Sequence, residues 1–357
     1  MIKQFMKNMF KYLLFGLRTK LGKRRAAKAL ERRKIATVNA AIDHLIDGVD
    51  PNMRFVIGYN KKLTEAVKTT LDYIDRLVEE IPGPVLFNKK AFGANPLVNA
   101  FFATTRDIQK TFSQSEALRD FFEDSMNVNV DEGFALMCVE KKEHSGFGMA
   151  LEGDFIKKDV PQVSVNFFAH NILVPATTEK EVRGSLKQCI FDALISNTFE
   201  RVMAKHVRER GSDEYRRILD RRYKANQAWG QELTDLLLSI RADTITRNGS
   251  TRKTTNTKQG VESSTGYLET PDDHLEQVKN ILAHPETMIR LNHISLNLTR
   301  MGVKVDDNST RSASKIELAE LEINDVWRRI IVIVKYPRSE MLAKNYFFSN
   351  AARTPGE

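Results

Sequence analysis

The apolar periodicity of this chain changes three times, and those changes constrain its architecture more than any single motif. Up to residue 127 apolar residues recur at three and four positions; from Gly133 to Val174 they alternate or run on; beyond Thr178 the three-and-four spacing returns, and from Ile316 to Val334 strand patterns follow again. A period of 3.6 belongs to helices and a period of 2 to half-buried strands. Blocks of helix and strand that segregate along a chain point to an α+β fold rather than to repeated βαβ units.

Within the first block, Ile35, Val38, Ile42, Leu45 and Val49 predict a helix that Asp50-Pro51 ends. Leu63, Val67, Leu71, Ile74, Val78 and Ile81 predict a second, which runs from about Lys61 until Pro82-Gly83-Pro84 stops it. Joined by a short turn, the two read as a helical hairpin with its stripe turned to an intramolecular core. Asn95-Pro96 supplies an N-cap and a first turn for a helix carrying Leu97, Val98, Phe101 and Phe102. Short helices are predicted over 106–112 and 116–122, and the Phe residues of this stretch read as core.

Strands are predicted at 134–140, 147–156 and 163–174, the first two joined by a turn at His144-Ser145-Gly146. In the third, Val163, Val165, Phe167 and Ala169 alternate with Ser164, Asn166, Phe168 and His170, which puts His170 on the wetter face. Thr178 with Glu181 opens a helix that continues to about Arg210. A long helix follows from Asp213 to Ala242, and residues 243–270 have too few large apolar side chains to offset the entropy of ordering. Thr270-Pro271 starts another helix; Pro285-Glu286 starts one more, through Met288, Leu291, Ile294, Leu298 and Met301, with a strand over 294–298 as the competing reading. Two strands, 316–323 and a central 330–334, and a closing helix at 339–346 complete the chain.

The expected fold is therefore α+β: a helical N-terminal region, a central antiparallel sheet, long helices, and a C-terminal α/β segment whose membership of the same sheet is left open. By segment, residues 1–34 are a basic amphipathic stretch, 35–127 helical, 128–242 sheet plus long helices, 243–270 a flexible linker or loop, and 271–357 a C-terminal α+β region. At 357 residues, 41% hydrophobic and 28% charged, the composition excludes global disorder and a polytopic membrane protein.

Charge carries the functional signal. Twelve Lys or Arg and only Glu31 among the acids give residues 1–34 a formal +11, whereas the whole chain is +9 and the remaining body is thus about −2. At 100° per residue Ile2, Phe5, Met6, Met9, Phe10, Leu13 and Leu17 share one face, and Lys3, Lys7, Lys11 and Arg18 cluster on the other. Such a helix suits the headgroup region of an anionic membrane. Lys20, Lys23, Arg24, Arg25, Lys28, Arg32, Arg33 and Lys34 form a more purely cationic stretch for an anionic partner. Its apolar run, Tyr12 to Leu17, is too short to span a bilayer, and its charges follow that run instead of preceding it as in a secretory signal.

Chemical motifs are missing. The chain has no GxxxxGK[ST], no GxSxG, and no HxxxH, HExxH or HxH among its seven histidines; its two cysteines, Cys138 and Cys189, have no CxxC spacing. No cofactor, metal or catalytic residue is expected. Local carboxylate pairs occur at Asp131-Glu132, Glu152 with Asp154, Asp306-Asp307, and Glu317, Glu320 and Glu322, and of these Glu152, Asp154 and His170 are the best chemical trio. The expectation is a non-enzymatic peripheral membrane or scaffold protein, cytoplasmic and on the inner face of a membrane. A nucleic-acid-associated protein with a basic arm is the first alternative, and an enzyme whose site is assembled only in space is the second. Protein partners or self-association through the helices at 61–81 and 213–242 belong to the first reading, as coiled-coil seams.

Overall fold

The computed structural model describes residues 32, 34–152, 155–210, 270–305, 312–324 and 327–343. The helix expected at 213–242, all but Thr270 of the linker expected at 243–270, and most of the basic front end lie outside them. Six strands form one sheet: β1 (Val85–Leu86), β2 (Glu132–Glu152), β3 (Phe155–Ala176), β4 (Ile289–Leu298), β5 (Ser314–Ile323) and β6 (Trp327–Pro337). Their order is β3-β2-β6-β5-β4, every pair in that path antiparallel, and β1 lies parallel beside β6. The C-terminal strands thus share the central sheet, through Glu132↔Pro337 to Val139↔Ile330.

Eight helices among the described residues cover the two faces. α1 (34–49), α2 (Tyr59–Glu79), α7 (Glu179–Arg210) and α8 (Pro271–Leu282) form one layer. α3 (Lys89–Ala94), α4 (Pro96–Phe101), α5 (Thr105–Gln114) and α6 (Glu116–Glu123) form the other. The pleat of β6 divides the core between them: Ile331 and Ile333 face the long helices, and Ile330, Val332, Val334 and Tyr336 face the short ones. Burial on both faces explains why Ile330 to Val334 is an unbroken β-branched run, each residue at most 1% exposed.

Local chemistry sets the boundaries. Asn95 Oδ1 accepts from the Leu97 amide with Pro96 in the first turn, and Thr270 and Asp273 make a reciprocal capping box. At α7 the Glu181 amide donates to Thr178 Oγ1, while the Glu181 carboxylate accepts from Thr177, one residue earlier than a standard box. The stripe of α2 is used inside the molecule: Leu63, Val67, Ile74 and Val78 are buried against α7 and α8.

Four expectations are corrected. Residues 289–298 are a strand, not a helix, paired along their whole length with β5, and only Pro285–Thr287 make a single tight turn. The predicted turn at 144–146 lies inside β2, which continues to Glu152 opposite a β3 starting at Phe155, so two strands make one long ribbon. Gly148 lies within that pairing, where an added Cβ would touch only the end of the cross-strand Gln162 side chain. After Tyr336 there is one tight turn, Arg338–Glu340, and no helix as far as residue 343.

The fourth is His170. Ala169 adopts φ +51° and adds one residue to β3 opposite β2 between Cys138 and Glu140. A bulge of this kind reverses which side chains face which side. His170 consequently joins the core side, where Nε2 lies 2.9 Å from the Phe101 carbonyl oxygen and the ring stacks on Phe102 at 4.5 Å. Burial holds its pKa below the ordinary value against the opposing effect of that hydrogen bond.

At the far end the sheet closes on itself. Val303 bridges Ser164 of β3, Lys304 bridges Leu298 of β4, and the Val165 amide donates to the Gly302 carbonyl at 2.8 Å. The two edges of the sheet are joined there by residues 302–305.

Candidate functional site

Of the nineteen residues expected to bind a membrane or another anionic partner, Arg32 and Lys34 lie among the described residues. Both are exposed, Lys34 as the first residue of α1, and Ile35 beside it is 55% exposed. The other seventeen lie outside. What the structure adds is the ground from which that segment leaves. Lys34 and Ile35 help to line an open groove of about 1080 Å³ between α1, α2 and α7.

Burial differs along α1: its second half is held in the core by Ile42, Leu45 and Ile46, each fully buried, whereas in its first half Val38 is half-buried against that core and Ile35 is exposed. Leu71 of α2 and Phe191 of α7 line the opposite walls. Two polar contacts hold those walls: His44 Nε2 lies 2.7 Å from Asp192 Oδ1, and Lys187 Nζ lies 2.6 Å from Asp75 Oδ1. The hydrogen bond with Asp192 is the main cause that raises the His44 pKa. Gly184, on α7, faces the groove with nothing within 4 Å of where its Cβ would be.

Sequence reading missed this groove. Its walls come from three helices far apart in the chain, and apolar positions such as Val38 and Leu71 look like any core stripe. The one local signal is Gly184, a glycine inside a helix, where it costs stability unless space is required.

The carboxylates considered for catalysis are dispersed. Glu132 pairs with Lys335 at 2.5 Å on the sheet, and Glu317 is an exposed partner of Lys315 at 3.3 Å. The side chain of Glu152 and all of Asp154, Asp306 and Asp307 lie outside what is described. Glu322 is 5% exposed and is the centre of a ladder across three strands: Arg290 and Arg328 are its register partners on β4 and β6. Arg328 Nε donates at 2.7 Å, Asn292 Nδ2 donates at 3.0 Å, and Arg290 stands at 3.6 Å.

For Glu322, burial alone would raise the pKa, but the hydrogen bonds from Asn292 and Arg328 and the charges of Arg328 and Arg290 outweigh it. The carboxyl is held below its ordinary 4.5. A depressed folded value means that the unfolded chain binds the proton more readily, so the stabilisation is present above about 4.5 and is lost as pH falls through the folded value. Glu322→Ala is expected to cost about 1–2 kcal/mol at pH 7, less than a fully buried pair because both arginines are about half exposed. Urea denaturation of both chains should show the gap narrowing between pH 5 and pH 3; a constant gap would falsify the assignment.

Cys138 is buried and Cys189 half-buried, both free thiols, and burial raises each pKa to about 12. They are packing residues at neutral pH. Among the described residues no three His, Cys, Asp or Glu are grouped so as to hold a metal ion, and no helix is long and apolar enough to cross a membrane. No protein-family model, no curated protein and no solved structure matches this chain.

Proposed function

We propose that this protein docks on an anionic membrane surface through its N-terminal segment and acts there as a scaffold, on the inner, cytoplasmic face. The observation that carries the reading is the asymmetry of charge, +11 in residues 1–34 against a nearly neutral body, interleaved with apolar residues at helical spacing. Each Lys or Arg close to an anionic leaflet contributes about 1 kcal/mol, and each large apolar side chain fully buried about 1.5–3. The exposure of Lys34 and Ile35 supports it, because the mixed basic and apolar character continues to the edge of the folded body.

Co-sedimentation with anionic and neutral vesicles tests this on three chains: full length, lacking residues 1–20, and carrying Phe5→Ser with Phe10→Ser. The deletion is expected to abolish binding to anionic vesicles. The double substitution should weaken it about 10- to 100-fold, the equivalent of half-burying two large side chains. Equal binding by full-length and truncated chains overturns the reading. Should the double substitution leave vesicle binding unchanged while DNA binding falls steeply with salt, a nucleic-acid role through Lys20 to Lys34 takes its place.

A further inference from the structure

We infer that the groove between α1, α2 and α7 is a docking site for the apolar face of the chain's own N-terminal segment, a store from which a membrane draws it. This rests on the membrane reading only for what releases the segment; the docking stands on the groove.

Three observations select this occupant. First, the segment departs from the groove's own wall, at Lys34. The fourteen residues from Arg18 to Glu31 span up to about 46 Å when extended, enough to bring Phe5, Phe10 and Leu13 back to Ile35 and Leu71. A short tether gives an effective concentration of order millimolar, which a second copy or a separate partner does not reach. Second, the groove has room for bulk: a Cβ on Gly184 would meet nothing within 4 Å on the α7 wall, Ile35 is exposed, and Val38 is only half-buried. Third, Glu65 and Asp72 of α2 are exposed carboxylates in the lining that lysines on the segment's polar face can pair with, although Lys34, Lys68 and Lys187 balance Glu65, Asp72 and Asp75 in the lining as a whole.

The groove is closed experimentally by Gly184→Trp, which puts an indole into the space at a helix-interior glycine whose added Cβ would meet nothing within 4 Å. The probe is p-benzoyl-phenylalanine in place of Phe10 in the full chain, photolysed without lipid and mapped by mass spectrometry. Intramolecular cross-links to residues 35–44, 64–75 or 184–191 are expected, falling at least about 5-fold in the Gly184→Trp chain, which should also bind anionic vesicles more tightly than the parent. Cross-links elsewhere on the body, between copies, or unchanged by Gly184→Trp overturn the docking. If vesicle binding is absent from every chain while the groove cross-link persists and responds to Gly184→Trp, the membrane reading fails and the docking holds.

Discussion

Replacing Phe112 by Ala is expected to lower the free energy of unfolding by about 3–5 kcal/mol, the range for truncating a buried aromatic side chain that leaves a cavity. Phe112 is completely buried and stacks on Tyr336 with ring centroids 4.3 Å apart and planes 7° apart. It also meets Phe87 at 5.5 Å and Phe102 at 6.4 Å. The ring is therefore the contact by which the layer of short helices grips β6. Those helices are six to ten residues long, too short to persist alone, so their order depends on this burial. Urea denaturation would check the value, with Phe147→Ala as the control. Phe147 is 77% exposed on the ribbon, and its loss should stay within about 0.5 kcal/mol. Similar midpoints for the two variants would mean that Phe112 is not packed as described.

Gly83→Ala is expected to cost about 2–5 kcal/mol through backbone strain and overpacking together. Gly83 has φ +132°, a conformation that residues with a Cβ rarely adopt. The added methyl would stand 2.5 Å from the Ile333 carbonyl oxygen and 2.8 Å from its Cβ, and the central strand of a sheet has little freedom to retreat. The consequence reaches past the turn. Pro82 accepts from the Ile333 amide at 3.0 Å, and the Phe87 amide donates to Lys335 at 2.9 Å, so displacement here loosens β1 and withdraws Phe87 from the aromatic cluster. A chain carrying Gly83→Ala with an unaltered denaturation midpoint contradicts this account.

These sites also separate what the sequence made legible from what it did not. Helices whose stripe meets one partner layer, such as α2, follow from spacing and caps alone. The strand β4 does not, and the reason is visible in its burial. Ile289 and Leu291 pack with the long helices, whereas Ile294, Leu296 and Leu298 pack with the short ones. A strand that exchanges its buried face along its length places apolar residues at intervals that also suit a helix. The β2–β3 ribbon was divided for a related reason: Gly146 and Gly148 look like turn residues, yet at Gly148 the glycine accommodates a cross-strand glutamine. Strict alternation puts His170 on the wetter face, and the bulge at Ala169 cancels that alternation. The groove had no local code beyond Gly184, because a site built from three helices depends on their relative placement.

The position of β6 has a consequence in time. This strand joins β2 to β5 and receives β1, yet it is the last of the six to be synthesised. At about 5–20 residues per second, the roughly 150 residues between Ala176 and Trp327 keep β2 waiting on the order of 8–30 s for its inner neighbour. Each hairpin forms from its own neighbourhood of chain; the sheet does not exist until Trp327–Pro337 has left the ribosome. A nascent chain arrested before Trp327 would therefore carry two half-sheets with open edges and neither half of the core sealed, the period in which chaperone capture matters most.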